Sequence, residues 1–328
     1  MRRRDAVAGA LAALGGVSCT SLARRVQPGM NLAQAVREAR DGDVIEIGPG
    51  RHEGQTALIT QQRLTLRGVG ERPVLEAAGA HTEGKAILVV RGGDIVIENL
   101  ELRGARVPSG NGAGIRLEGG RLRVERCAFL DNEMGLLSAN RPEIELSLRD
   151  CEFAQAPRHP GLLHHLLYVG RIGRFEIIGC RLHGGWRGHL IKSRARENRI
   201  LANHVVDDDD GEASYELDLP NGGLAWVVGN VFGQSAGTQN PTIVSFGAEG
   251  DAHADSALTL ANNTLINRCA APEATFVKVW RERLPAGVEL RFTDNRLLGP
   301  GAFDDGNAIE SRGNVRAALP APGRDPAR

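Results

Sequence analysis

The 328-residue sequence predicts an all-β, single-domain right-handed parallel β-helix, closed at its N-terminal end by a short capping helix. Three observations carry that expectation. Aromatic residues make up only 4% of the chain while glycine numbers 42, a bias toward short strands and turns rather than helix packing. One frame recurs: "IVIENLEL", "LRVERCAF", "LSLRDCEF", "FEIIGCRL", "RILANHVV", "WVVGNVFG", "TLANNTLI" and "RFTDNRLL". Within each unit apolar residues alternate with a period of two and are bounded by Gly, Asn and Asp, with no 3.6-residue period. The fixed position of the frame is Asn99, Cys127, Cys151, Cys180, Asn203, Asn230, Asn263 and Asn295, with Asn314 a ninth candidate. Successive gaps are 28, 24, 29, 23, 27, 33 and 32 residues. Each unit is too short for a strand plus a βαβ crossover, so it reads as one coil of short strands, stacked on its neighbours at about 4.8 Å per rung.

Taken in order, residues 1 to 25 read as a segment outside the fold. "MRRRDAVAGALAALGGVSCTS" has a charged start, a short apolar run and then small residues, the pattern of a secretory signal. The Arg2–Arg4 run resembles a twin-arginine export signal, and "GVSC" resembles a bacterial lipobox ending at Cys19. The expectation is an exported bacterial protein, periplasmic or anchored to the outer membrane, with Cys19 as the point of lipid attachment. No other stretch approaches the roughly 18 apolar residues of a transmembrane helix.

Residues 31 to 40, "NLAQAVREAR", carry helical apolar spacing behind Asn31 as N-cap. Such a helix covers the open end of the apolar column, as solenoids require. "DGDVIEIGPGRHEG" supplies the first strand and turn, and the solenoid runs over 26–315, with 316–328 as a Pro- and Ala-rich flexible tail. In the repeat, Asn is expected to take the left-handed bend between two strands and to bond to the next Asn along the stack. Cys127, Cys151 and Cys180 are expected there as stacked buried thiols, although a disulfide between neighbours fits the rung spacing. No Cys-x-x-Cys pair is present, which argues against a structural zinc site.

The opening "VQPGMNLAQAVREARDGDVIEIGPGRHEG", followed by "LTLRGVGERPVLEA", resembles the start of the pectin-lyase-like β-helix superfamily. The resemblance covers roughly residues 26 to 315. It implies the fold, while the superfamily's lyases, hydrolases, esterases, epimerases and non-catalytic members leave the activity open.

Chemistry is expected on one outer face. Strands "LLYVG", "LIKSR", "YELDL", "IVSFG" and "FVKVW" precede the fixed position in successive coils. With Val169, Ile191, Leu217 and Leu219 inward, Tyr168, Lys192, Glu216 and Asp218 point outward. Tyr168, Lys192 and Asp218 then share one column, continued by Ser245 and Lys278. A base, a phenol and carboxylates so placed suit β-elimination from a uronic acid, with Lys192 the base, Tyr168 or His189 the acid and Arg194 the partner of the substrate carboxylate. Locally, "HLIKSRARENRILANHVV…GEASYELDLPNGGLAWVVGNVF" resembles the catalytic region of chondroitinase B and related alginate lyases. Lys192 and Ser193 match those enzymes' Lys-Ser pair, and the resemblance gives Lys192 the base role. The strand that should offer a second catalytic Arg reads "YELDLPNGG" and has none.

Substrate contacts are expected from Glu216, Asp218, Asn221, Trp186, Arg187 and Glu249, the last within the insertion "QNPTIVSFGAEGDAH" that also offers Asn240 and His253. Trp280 beside Lys278 is a second candidate for stacking on sugar. Glu216 and Asp218 also form a rival carboxylate pair for glycoside hydrolysis. "DDDD" at 207–210 offers oxygens of the kind Ca²⁺ takes, beside the alternative of a solvated loop; no other cofactor or metal is called for. Of His164 and His165, adjacent on a strand, at most one can join the column. With 40 basic and 40 acidic residues the chain lacks the excess of a nucleic-acid binder. An acidic polysaccharide or another glycan is the expected partner of a monomer. Three readings stay open: a polysaccharide lyase, a non-catalytic carbohydrate-binding or envelope-associated β-helix, and a hydrolase.

Overall fold

A computed structural model describes residues 23–207, 209–304 and 306–319. Residues 1–22, Cys19 and most of the expected export signal at 1–25 among them, and the tail beyond 319 lie outside the described residues. Among those described, strands assemble into three long parallel sheets of 12, 10 and 11 strands, with one α-helix. Each complete coil gives one strand to each sheet, with the terminal coils contributing fewer, which is a right-handed parallel β-helix. The solenoid starts with strand Ala23–Val26 against Asp43–Ile47. It ends with Val315–Ala317 against Arg296–Leu298, two residues beyond the expected limit at 315.

The period-two patterns explain the packing directly. Strand Asp94–Glu98 buries Ile95 and Ile97, and the next strand of that sheet, Arg121–Glu125, buries Leu122 and Val124 in register with them. Phe129 and Phe153, also in register, stack with ring centroids 4.5 Å apart. Fully burying such a side chain contributes about 1.5–3 kcal/mol, and the same column recurs coil after coil. At the N-terminal end Asn31 accepts a hydrogen bond from Gln34 N at 2.8 Å. The capped helix Leu32–Glu38 then drops Leu32 and Val36 into the main core, closing it as the sequence leads one to expect.

The recurrent Asn frame divides into two adjacent columns. The left-handed residue is the one before the ladder position: Arg126, Asp150, Ala202, Asn262 and Asp294 have φ between 52° and 58°, and Gly179, Gly229 and Gly313 fill the same place. Asn99, with φ 51°, belongs to this outer column, and Leu100 takes its place in the inner one. In the inner column the side-chain oxygen of Asn203 accepts from Cys180 N, and from Asn230 onward each Asn oxygen accepts from the backbone N–H and amide of the Asn one coil below. Asn203 N and Nδ2 both donate to Asn230 Oδ1 at 2.9 Å, and Asn230 → Asn263, Asn263 → Asn295 and Asn295 → Asn314 repeat the pattern. The Nδ2 group of Asn203 also donates to Ile177 O, so that amide is satisfied on both sides. Toward the N-terminus sulfur replaces the amide as acceptor: Cys151 N donates to Cys180 Sγ and Leu100 N to Cys127 Sγ. Cys127, Cys151 and Cys180 are free, buried thiols, as is Cys269.

Candidate functional site

The 10-stranded sheet carries one unbroken column along its outer face. Leu58, Val89, Arg116, Leu137, Tyr168, Lys192, Asp218, Ser245 and Lys278 lie in register on successive strands. The expected column from Tyr168 to Lys278 is therefore present, with Val169, Ile191, Leu217 and Leu219 in the core behind it. Its N-terminal part is apolar: Val89 and Leu137 join Ala86, Ala113 and Met134 in a cluster separate from the main core, with Leu58 and Tyr168 packed against it.

Lys192 sits where this column turns polar, and only 8% of its surface is exposed. Its Nζ donates to Glu249 Oε1 at 2.6 Å and lies 3.5 Å from Asp218 Oδ2. Arg194, two residues along the same chain, spreads its guanidinium over three acceptors: Tyr168 Oη from Nε at 2.9 Å, Asn221 Oδ1 from Nη1 at 2.8 Å and Glu249 Oε2 from Nη2 at 2.5 Å. One carboxylate thus joins the ammonium and the guanidinium. Burial opposes the charge on both Glu249 and Arg194, but their mutual contacts and those to Lys192 and Tyr168 prevail, lowering the Glu249 carboxyl and raising the Arg194 guanidinium. Asn221 Nδ2 donates to Gly250 O and His253 lies 3.1 Å from Arg194 O, which fixes the Glu249 loop over the column. Arg171 and Arg196 hold its flank through Asp251 and Asp255 at 2.5 Å each.

A second, aromatic column runs beside the first. His165 and His189 stand with ring centroids 4.8 Å apart, and His189 and Tyr215 with 4.9 Å. His165 also meets Tyr168 at 5.4 Å, whereas its neighbour His164 turns away to Pro157 O. Only one of the two histidines joins the face, as strand alternation requires. Burial, reinforced by nearby Lys192 and Arg194, pushes His165 down to about 3, and burial next to His165 drives His189 well below its ordinary value. Both imidazoles are therefore neutral through the physiological range. His189 Nδ1 accepts from Tyr215 N at 3.3 Å, which places the ring hydrogen on Nε2, 3.5 Å from Asp218 Oδ2. A neutral ring spending its hydrogen toward Asp218 orients that carboxylate and is a poor proton donor. Tyr168 is better placed, because its oxygen accepts from Arg194 and its own hydrogen is free to be given outward.

Several expected contacts resolve differently. Glu216 does not stand on the outer face with Asp218. It lies on a bend before strand Leu217–Leu219, is fully buried, and both carboxylate oxygens lack a hydrogen-bond partner. Burial, with Asp207 and Cys269 nearby, drives its carboxyl well above the ordinary range. The strand begins one residue later than its sequence pattern suggests, so alternation does not reach Glu216, and the pair with Asp218 for glycoside hydrolysis is not formed. Trp186 and Arg187 belong to the bridge region that joins His164 to Glu212. The Trp186 ring is covered by the Arg158 and Arg187 guanidinium groups at 5.1 and 5.2 Å, and that of Trp280 by Lys278 and Arg283 at 4.1 and 4.7 Å. Asp207 accepts from Gly185 N and Ala213 N, so it ties the acidic loop to the coil. Asp208 lies outside the described residues, and no group of three or more His, Cys, Asp or Glu among those described is placed to hold a metal ion.

Tyr215 is a site residue that the sequence does not single out, and of His164 and His165 it does not say which one joins the face. The signal was present, since His165, His189 and Tyr215 are separated by 24 and 26 residues, the same steps that separate Tyr168, Lys192 and Asp218. No protein-family model matches the chain, and no curated protein matches it.

Proposed function

We propose that this chain is an exported β-helix protein that binds an acidic polysaccharide along the outer face of the 10-stranded sheet and cleaves it by β-elimination. The observation that carries the reading is the single carboxylate of Glu249 engaged at once by Lys192 and Arg194 beside Tyr168. A site with this chemistry recognises a carboxylate that presents itself on an adjoining chain, as a uronate does. The Glu249 side chain is 44% exposed, so a substrate carboxylate can displace it at small cost.

In the reaction Arg194 takes the uronate carboxylate and stabilises the charge that spreads onto it as the C5–H bond breaks. Lys192, released from Glu249 and in its neutral form, accepts the C5 proton. The C4–O4 bond breaks as the C4–C5 double bond forms, and Tyr168 gives its hydrogen to O4. The ammonium of Lys192 then returns a proton to the Tyr168 oxygen, a transfer favoured by their adjacent rungs. No water is consumed. Asp218, itself oriented by the neutral His189, holds Lys192 from the far side.

A second reading has its own support. As it stands Lys192 is an ion-paired ammonium between Glu249 and Asp218, an arrangement that binds a carboxylate without removing a proton. Incubation with alginate, polygalacturonate and glycosaminoglycans separates the two. The elimination reading predicts growing ultraviolet absorbance from unsaturated uronates with at least one of these polymers. Silence across the panel with retained binding on a glycan array would leave a binding protein.

A further inference from the structure

The polar column ends at Tyr168, but the groove does not. Next to Tyr168, on the N-terminal side, lies a cavity of about 360 Å³ whose wall includes Arg116, Met134, Leu137, Asn140, His165 and Tyr168. Leu137 and Met134 belong to the apolar cluster of the outer face and give it a flat greasy floor. Arg116 occupies the column between Val89 and Leu137 and is the one charged member of its apolar half. Its Nε is buried and meets no hydrogen-bond acceptor. The nearest carboxylate, Glu118, stands 4.0 Å from that nitrogen and is engaged instead by Lys85 at 2.7 Å and by Arg91. A guanidinium held over an apolar floor without an acceptor of its own is what an acidic sugar needs: a face for the ring and a fork for the carboxylate.

We propose that this cavity is a second subsite for a hexuronate residue of the same polymer, with its carboxylate on Arg116 and its ring face on Leu137 and Met134. The proposal rests on the reading of Lys192, Arg194 and Tyr168 given above and extends it. Arg116 is three rungs from Lys192, about 14 Å at about 4.8 Å per rung, so the two cations address different residues of one chain. Because Tyr168 lies between them and protonates O4, the Arg116 subsite takes residues on the leaving-group side of the broken bond. The groove thereby selects runs of uronate over isolated ones.

The test uses hexamers and dimers of mannuronate and galacturonate, with neutral mannohexaose as control. Affinity is measured by calorimetry on the Lys192→Ala protein, whose turnover is expected to be slowed by about 10³-fold or more, and KM on the otherwise native chain. Arg116→Met, which keeps the stem on the apolar floor, is expected to weaken hexauronate binding and raise its KM by about tenfold. The dimer and mannohexaose should change less than about twofold, and Arg116→Lys should recover most of the loss. Equal changes for hexamer and dimer, or for charged and neutral hexamers, would overturn the subsite while leaving the elimination reading in place. Binding that depends on Arg116 without any unsaturated product would keep the subsite and overturn the elimination. Failure of hexauronate to bind at all would overturn both.

Discussion

In the proposed elimination Lys192 and Tyr168 carry the two proton transfers, so their removal should act on kcat rather than on binding. Lys192→Ala is expected to lower kcat by about 10³-fold or more and Tyr168→Phe by about 10²-fold, with KM within a few fold, in a continuous ultraviolet assay. Glu249→Gln should move in the other direction. It removes the internal carboxylate from Arg194 and Lys192, and a fall of several fold in KM for polyuronate with unchanged folding is the expected outcome; a rise in KM would mean that Glu249 contacts substrate rather than competes with it. The buried carboxylates make a separate prediction for stability. Glu216 is raised well above its ordinary 4.5 and Asp218 from 3.8 to about 6, chiefly by burial. Where a folded-state value lies above the unfolded one, the unfolded chain releases its proton first as pH rises. Stability is then full below the unfolded value and declines above it. Each of these carboxylates therefore contributes a fall in melting temperature as pH rises above its unfolded value, while His165 and His189, held neutral, contribute a rise up to their unfolded value of 6.5. The difference between variants is what isolates Glu216: Glu216→Gln should gain in melting temperature over the native chain as pH rises and be the more stable of the two at neutral pH. An unchanged profile in Glu216→Gln would contradict the burial assigned to it. Tyr168, Lys192 and Asp218 were legible from alternation and coil spacing. Glu216 was not, because a bend takes its side chain off the strand's alternation, and the partnership of Glu249 with Lys192 was not, because it crosses 57 residues into a loop without a period.

Among the elements, the Asn ladder shows how composition becomes stability. Each rung joins coils by bonds that backbone pairing alone does not supply, and each buried amide is used as donor and acceptor together. Asn230→Ala would leave Asn203 N, Asn203 Nδ2 and Ile200 O without these partners. A loss of about 2–3 kcal/mol in denaturant unfolding is expected, against under about 1 kcal/mol for Asn314→Ala at the more exposed end. Similar small losses at both positions would show that the column is spacing rather than bonding. The sequence showed the column but misplaced its geometry. Asn was expected to take the left-handed turn itself, whereas residues as varied as Arg126, Asp150 and Ala202 take it one position earlier. Their variety hid the turn. The amide or thiol that follows satisfies a backbone N–H of the coil below, and that requirement made Asn and Cys recur. The capping helix was easier to read, since Asn31 and the Leu32 and Val36 spacing are local signals.

For the whole molecule, a stack of coils turns a sequence period into a linear surface. The column from Leu58 to Lys278 runs over nine strands of the 10-stranded sheet, apolar but for Arg116 toward the N-terminus and polar from Tyr168 onward. On the proposed reading, a polyuronate lying along it meets a floor for its rings and cations for its carboxylates in fixed order. Polyuronate affinity should consequently weaken with added salt, more steeply for a hexamer than for a dimer, while mannohexaose stays insensitive. The fold was legible because coil spacing, alternation and turn residues agree with one another. The candidate site was less so, because it depends on which side chains converge where loops such as that of Glu249 close over the face. The most direct measurement counts ends. For the native chain acting on polyuronate, each new reducing end should be matched by one unsaturated non-reducing end, and Lys192→Ala should produce neither. New reducing ends without unsaturation, or undiminished unsaturated product from Lys192→Ala, would contradict elimination by the Lys192 column.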